Sequence, residues 1–376
     1  MKRSIDSHTV VMNRLIVHVS EIDISSRSGM GRVEKNWKRA FENAGYSFLH
    51  IGLKEVGKLR HRSLFPVKAY TFFKRLKVKP VAIIVHEPAA GFFVKRGFPC
   101  FVESHGIERR HWEAQLNGKI PLENEETVSY KTRLLFPIWR LYGCDKGLKY
   151  ADKLLLINRD DLNYVKQRYL RTEEDVFLFK NGFQDFIPSN KNASEIFTIL
   201  FNGSWIKRKG IDVLVKAAQI LFKQNRRINY TLIGTGKAEN LVLLDWPPEL
   251  RPFVSIKPTF TLQEEISYLE TSSIFVLPSY FEGQPLSLIQ AMAAAKCCIT
   301  TNTCGQKDLV THALTGFLFE VGDYKQLANH IGNCFDHREN VREIGRNARQ
   351  SIQAFNWPKV ALEVVNFVLR NVEKKS

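Results

Sequence analysis

Glu282 stands where an acid has no use if the only task is to hold phosphate. It follows an apolar run, Ile274-Phe275-Val276-Leu277, that reads as a buried parallel strand ending at Pro278. A short loop carries Glu282, Gly283 and Gln284 to Pro285, which suits the first turn of a helix whose next residues, from Leu286 on, are good helix formers. Such a turn aims free backbone N–H groups and one carboxylate into the crevice at the carboxyl ends of parallel strands, where open α/β sheets bind ligands. A nucleotide diphosphate with a chemically sensitive group beside it fits that description. The acid suits sugar hydroxyls or positive charge developing at a reacting carbon. Its plain alternative is a charge set against the helix dipole. Gln290, eight residues on and about two helical turns away, could hydrogen-bond a ribose or serve as a cap.

Three further segments carry the same kind of chemistry. Gly203-Ser204-Trp205-Ile206-Lys207-Arg208-Lys209-Gly210 follows a strand with three consecutive cations and a glycine at a helix start. Cations beside a helix N-terminus complement phosphate by charge and by N–H geometry, and an exposed basic loop is the ordinary alternative. Ser28-Gly29-Met30-Gly31 lies between the first strand and first helix, where small residues let a ligand approach the backbone or merely make a turn. His105, in Glu103-Ser104-His105-Gly106, ends an apolar strand on the active face of such a sheet. There it can donate to a sugar hydroxyl, relay a proton, or be structural.

These residues need a scaffold, and the chain supplies the pattern for one. At 376 residues and 44% hydrophobic content it is long enough for two domains. Strand and helix alternate twice, which argues a parallel sheet in each half. The first series takes strands at 14–19, 47–51, 81–85, 100–103, 153–157 and 176–179, with a helix over 32–44 closed by Gly45. The polar segment 188–195 has linker composition. The second series takes strands at 197–201, 229–233, 254–256, 274–277, 298–301 and 316–319, with helices over 210–223, 263–270 and 323–334. An apolar helical segment, 357–374, is placed across the domain junction.

The net charge is +17, and residues 1–181 hold 33 Lys+Arg against 20 Asp+Glu. Lys58–Lys79 has eight basic residues and no acid, interleaved with Leu64, Phe65, Tyr70, Phe72, Phe73 and Leu76. That mixture suits an anionic bilayer surface, each cation adding about 1 kcal/mol, or a solvated helix face whose aromatics pack inward. No recognised motif accompanies the charge to favour nucleic acid. The six cysteines show no metal-ligand spacing, no run is long enough to span a membrane, and the start has no signal-peptide pattern. The expectation is a reduced cytoplasmic chain, peripheral at the inner membrane face if the basic stretch meets lipid.

Taken together, SGMGR at 28–32, ESHG at 103–106, NG at 181–182, NGSWIKRKGIDVLVKA at 202–217, LIGTG at 232–236, PSYFEGQPLSLIQAMAA at 278–294 and TGFLFEVGD at 315–323 resemble the retaining glycosyltransferases of family four. The resemblance implies an α/β GT-B fold, two Rossmann-like domains facing each other across a cleft. It places an acceptor domain at 1–187 and a sugar-nucleotide domain at 188–357, with a C-terminal helix over about 358–376 returning to the first. It implies a UDP- or GDP-sugar donor, a glycan or lipid-linked glycan acceptor, and neither cofactor nor metal. By the same resemblance Lys209 and Arg208 bind the diphosphate, and Glu282 contacts the transferred sugar. Gly283, Gln284, Pro285 and Leu286 form the backbone cradle. Gly29 and Gly31 close over the phosphates, His105 lies near the anomeric centre, and Gly234 joins the donor site. Two positions depart from the family pattern. Gln290 stands for the acid that receives the ribose, and Ser204 for an arginine. A sugar-nucleotide epimerase of the same fold, or a non-catalytic binding protein, would share much of this cradle.

Overall fold

The computed structural model describes residues 14–25, 29–123, 128–183 and 196–373. Among them, twelve strands make two six-stranded sheets, parallel throughout. The first contains β1 (Leu15–Val19), β2 (Ser47–Ile51), β3 (Ala82–His86), β4 (Cys100–Ser104), β5 (Lys153–Leu156) and β6 (Val176–Leu178), in the order β2-β1-β3-β4-β5-β6. The second contains β7 (Thr198–Asn202), β8 (Asn229–Ile233), β9 (Val254–Lys257), β10 (Ile274–Leu277), β11 (Cys297–Thr301) and β12 (Gly316–Phe319), in the order β12-β11-β10-β7-β8-β9. Every residue of β1, β10 and β11 is buried, as strands covered by helices on both faces require. The linker read at 188–195 lies outside the described residues.

The longer helices are α1 (Gly29–Asn43), α2 (Phe65–Leu76), α3 (Glu108–Leu116), α4 (Tyr130–Phe136), α5 (Tyr142–Tyr150), α6 (Arg159–Tyr169), α7 (Ile211–Lys223), α8 (Leu262–Thr271), α9 (Leu286–Ala293), α10 (Cys304–Leu309), α11 (Tyr324–Asp336), α12 (Arg338–Ser351) and α13 (Trp357–Glu373). Pro137 has no N–H to give, and the chain widens there into a π turn, Pro137–Leu141, that joins α4 to α5. In α13, Val360, Ala361, Val364, Val365 and Val368 repeat at helical spacing. They share one core with Val33, Trp37 and Phe41 of α1 and with the first sheet. The second sheet has its own core.

Two local expectations change. The first helix begins at Gly29 rather than near Arg32, so Gly29 and Gly31 form its first turn instead of a preceding loop. In α2, Phe65, Ala69 and Phe73 turn inward at i, i+4 and i+8, and Tyr70, Phe72 and Leu76 are partly buried on the same core. The eight cations of Lys58–Lys79 stay exposed, while most of the interleaved aromatics do not.

In the second sheet the chain reverses its direction of travel between β7 and β10, which are neighbours in space. Ligands of doubly wound sheets bind at the carboxyl ends of such strands. The loops that leave these two strands are 203–210 and 278–285.

Candidate functional site

The basic loop after β7 closes as a 3-10 turn, Lys207–Lys209, and enters α7 through Gly210 at φ 73°. A Cβ on Gly210 would lie 1.9 Å from the Pro278 carbonyl oxygen, so glycine here lets the two loops touch. The contact is fixed by the Tyr280 N–H, which donates to the Arg208 carbonyl at 2.9 Å. Side chains then converge. Lys209 Nζ lies 2.6 Å from Glu282 Oε1, and Arg208 Nη1 lies 3.2 Å from the same oxygen. Arg208 Nη1 also donates to the Phe281 carbonyl at 2.6 Å. Glu282 is only 9% exposed. Burial works to raise its carboxyl, but Lys209 and then Arg208 outweigh burial and hold it below its ordinary value.

The cradle residues face the first sheet. A Cβ on Gly283 would sit 2.0 Å from the His105 carbonyl oxygen. Asn158 Nδ2 donates to the Gly283 carbonyl at 3.2 Å. The Asn181 N–H donates to Gln284 Oε1 at 2.7 Å, and Asn181 Nδ2 donates to the Gln284 carbonyl at 2.8 Å. Pro285 does not enter α9. It sits just before the helix with ψ 120°, and its carbonyl accepts from the N–H groups of Leu288 and Ile289. A Cβ on Gly29 would come 3.3 Å from Leu286 Cδ1, so the first turn of α1 meets the cradle across the cleft.

His105 lies at the cleft floor, edge-on to Phe179 at 5.3 Å. Its Nε2 is buried without a partner. Burial, opposed by Glu103, lowers its pKa to about 4, so the imidazole is neutral at ordinary pH. Lys209, Arg208, Glu282, Gly283, Gln284, Leu286, Gly29 and His105 are thus linked by a chain of contacts. Gly234 is not in that chain. At φ 69° it ends β8, with Phe260 and Asn202 as the atoms a Cβ would meet. Gln290 is buried inside α9. The helical spacing read from Glu282 to Gln290 does not hold, because Glu282 lies four residues before α9 begins.

Sequence reading missed the groups that seal the cleft. Arg110 on α3 donates through Nε to Asp161 Oδ1 at 2.7 Å, stacks 4.5 Å over the Phe281 ring, and reaches Cys304 Sγ at 3.4 Å. Asp160 accepts from the Cys304 N–H at 3.2 Å and pairs with Lys307 at 2.7 Å. His111 lies edge-on to Phe281 at 5.1 Å, and burial followed by the Arg208 charge lowers its pKa to about 4. On the far side Arg32 pairs with Glu265 at 3.7 Å, and Asn202 Nδ2 donates to Glu265 at 2.8 Å. The one local signal was Asn158 ahead of Asp160-Asp161, an N-cap pattern; its side chain accepts from the Asp161 N–H at 2.8 Å.

Residues 183–351 match the family model described as glycosyl transferases group 1. Over 169 residues it is 31% identical to the capsular polysaccharide biosynthesis glycosyltransferase CapM of Staphylococcus aureus, covering 44% of this chain and 43% of that one. Over 183 residues it is 25% identical to the UDP-Gal:alpha-D-GlcNAc-diphosphoundecaprenol alpha-1,3-galactosyltransferase of Escherichia coli, covering 48% and 46%. The chain therefore spans under half the length of either relative. Sucrose-phosphate synthase from Thermosynechococcus elongatus superposes with a TM-score of 0.79 at 19% identity, covering 96% of this chain and 100% of that one. The fold is the GT-B arrangement of two α/β domains across a cleft.

Proposed function

We propose that this chain is a retaining hexosyltransferase that moves a sugar from a UDP- or GDP-sugar to a saccharide or lipid-linked saccharide in glycan synthesis. The carrying observation is the pair of cations that meets one carboxylate at the β7/β10 crevice, Lys209 and Arg208 on Glu282 Oε1. A donor diphosphate competes for both cations. As it takes them, Glu282 is released toward the sugar. Lys209, Arg208 and the N–H groups at the start of α9 then stabilise the departing diphosphate, the charge that develops as the anomeric C–O bond breaks. The acceptor attacks from the same face, and the departing phosphate oxygen takes its proton. Side-chain cations do the neutralising, so the donor needs no metal. Neutral His105, with its unpartnered Nε2, faces the sugar hydroxyls.

Lys209→Ala or Glu282→Ala is expected to lower transfer at least about 100-fold, the usual cost of losing one preorganised charge in an active site. Unimpaired turnover in both variants would remove the assignment. Melting-temperature shifts with UDP, GDP and ADP identify the base, since a ligand that binds the folded state raises its melting point. An epimerase would interconvert the donor sugar with no acceptor added, and a pure binding protein would release no nucleotide.

The acceptor side of the proposal includes an anionic membrane, and exposed apolar side chains outside the basic stretch support it. Tyr130, Leu134, Leu135, Ile138, Trp139 and Tyr142 are exposed along α4, the π turn and the start of α5, Ile138 by 70%. Trp139 lies 4.8 Å from the ring of His61, inside the basic stretch. Exposed cations next to an exposed aromatic and aliphatic helix fit an acidic lipid surface carrying a lipid-linked acceptor. Among the described residues no helix is long and apolar enough to cross a membrane.

A further inference from the structure

Away from the donor loops, the first sheet gathers ionisable groups between its strands and α1. His18 on β1 and His50 on β2 are paired in register, so both imidazoles project into the same layer as Glu103 on β4. His18 Nδ1 faces His50 Nδ1 at 2.9 Å, and His18 Nε2 lies 3.0 Å from Glu103 Oε1. Glu34 comes down from α1. It is fully buried, and neither of its oxygens meets a hydrogen-bond donor in good geometry, although the Ser20 hydroxyl is a near neighbour. The charged groups that act most strongly on Glu34 are His18, Glu103 and Asp23.

We propose that His18, His50 and Glu34 form a site for a divalent metal ion of the zinc class. One donor atom from each of the three lies within 4.8 Å of the others. Two imidazole nitrogens and a carboxylate oxygen are the ligands zinc takes, and they leave a fourth position open. Glu103 accepts the Nε2 proton of His18, which turns the Nδ1 lone pair inward, the carboxylate–imidazole support usual behind a ligating histidine. On the opposite edge, a Cβ on Gly52 would lie 2.5 Å from His50 Nε2 and 2.8 Å from Asp23 Oδ1. The glycine thus leaves room for Asp23 to support His50 as Glu103 supports His18. His18 Nδ1 thus offers a lone pair 2.9 Å from His50 Nδ1, and the buried, unpartnered Glu34 carboxylate stands beside them, so a cation exchanged for one imidazole proton would be held by all three. His18 and His50 are 32 residues apart and Glu34 sits on a separate helix, so no short spacing along the chain announces the set. A bound ion would pin α1 to β1 and β2 just below the glycine turn, Gly29–Gly31.

This site stands whether or not the transferase reading holds. Its test uses the full chain purified without chelator, assayed for metal by mass spectrometry. The EDTA-treated protein is then titrated with Zn²⁺ and with Co²⁺. The expected result is about one zinc per chain, a melting temperature that rises on zinc addition, and Co²⁺ absorption bands of a tetrahedral nitrogen–oxygen site. His50→Gln and Glu34→Gln should abolish binding. Should either fail to fold by circular dichroism, Glu103→Gln, which keeps the shape but weakens the support, is expected to lower affinity about 10- to 100-fold. Lys209→Ala should bind zinc as the native chain does. A metal-free protein with no response to either ion overturns the proposal, and so does native affinity in the folded variants. Either result would leave an ordinary N–H···N hydrogen bond between the two imidazoles.

Discussion

An alanine at position 283 would place its Cβ 2.0 Å from the His105 carbonyl oxygen, a backbone atom that cannot step aside. Gly283→Ala is therefore expected to hold the cleft apart. Steady-state kinetics should show kcat falling more than nucleotide affinity, because Lys209 and Arg208 are untouched; equal kcat would contradict the contact. Glu87 gives a test of a different kind. It accepts from the Ser104 hydroxyl at 2.7 Å and the Glu108 N–H at 3.1 Å, and burial, then the Glu108 charge, push its carboxyl up from 4.5 to about 8. A raised folded-state value means that the protonated form favours folding. That contribution is complete below about 4.5 and is lost as pH rises toward about 8. Glu87→Gln, which cannot ionise, should lose less melting temperature than the native chain across this window; parallel curves would refute the account. At this scale the sequence showed Glu282, Lys209 and His105 because each lies in a segment that leaves the carboxyl end of a strand. It could not show Glu87, whose chemistry comes from what surrounds it.

The element that reads worst from sequence is α2. Its cations and aromatics alternate in the manner of a lipid-facing segment, yet Phe65 and Phe73 fill the first core, and the charges stay outside together with Val67 and Thr71. Truncating one of them, Phe73→Ala, is expected to cost about 3–5 kcal/mol of stability by denaturant titration. By contrast, Ile138→Ser with Trp139→Ser, on exposed positions beyond α4, should change stability little while abolishing flotation with anionic vesicles; undiminished flotation would locate the contact elsewhere. Strand positions were legible to within a residue or two because doubly buried strands are continuous apolar runs. α12 was not legible. It is rich in charge, with only Val341, Gly345 and Ala348 buried. A Cβ on Gly345 would lie 2.1 Å from the Ala295 carbonyl, so the helix is held by close approach rather than by a large apolar stripe.

For the molecule as a whole, the cleft is latched at its rim by Arg110 and Asp160 on the first lobe against Phe281, Cys304 and Lys307 on the second. Asp160→Asn combined with Arg110→Ala should open it, read as a larger radius of gyration in small-angle scattering; an unchanged radius would show that the latch is not what sets the angle. The two lobes could be read from the repeat of the strand–helix pattern, but not how they meet, since the residues that meet are scattered through loops. One consequence concerns birth rather than catalysis. The chain visits the second lobe before α13 returns to α1, passing beside Phe183, whose N–H donates to the Phe355 carbonyl at 2.9 Å. A nascent first lobe leaving the ribosome thus lacks Val360, Val364, Val365 and Val368 from its interior until the second lobe and α13 have been translated. Stop codons upstream of α13 should leave that lobe sticky and dependent on chaperones, however intact its own six strands.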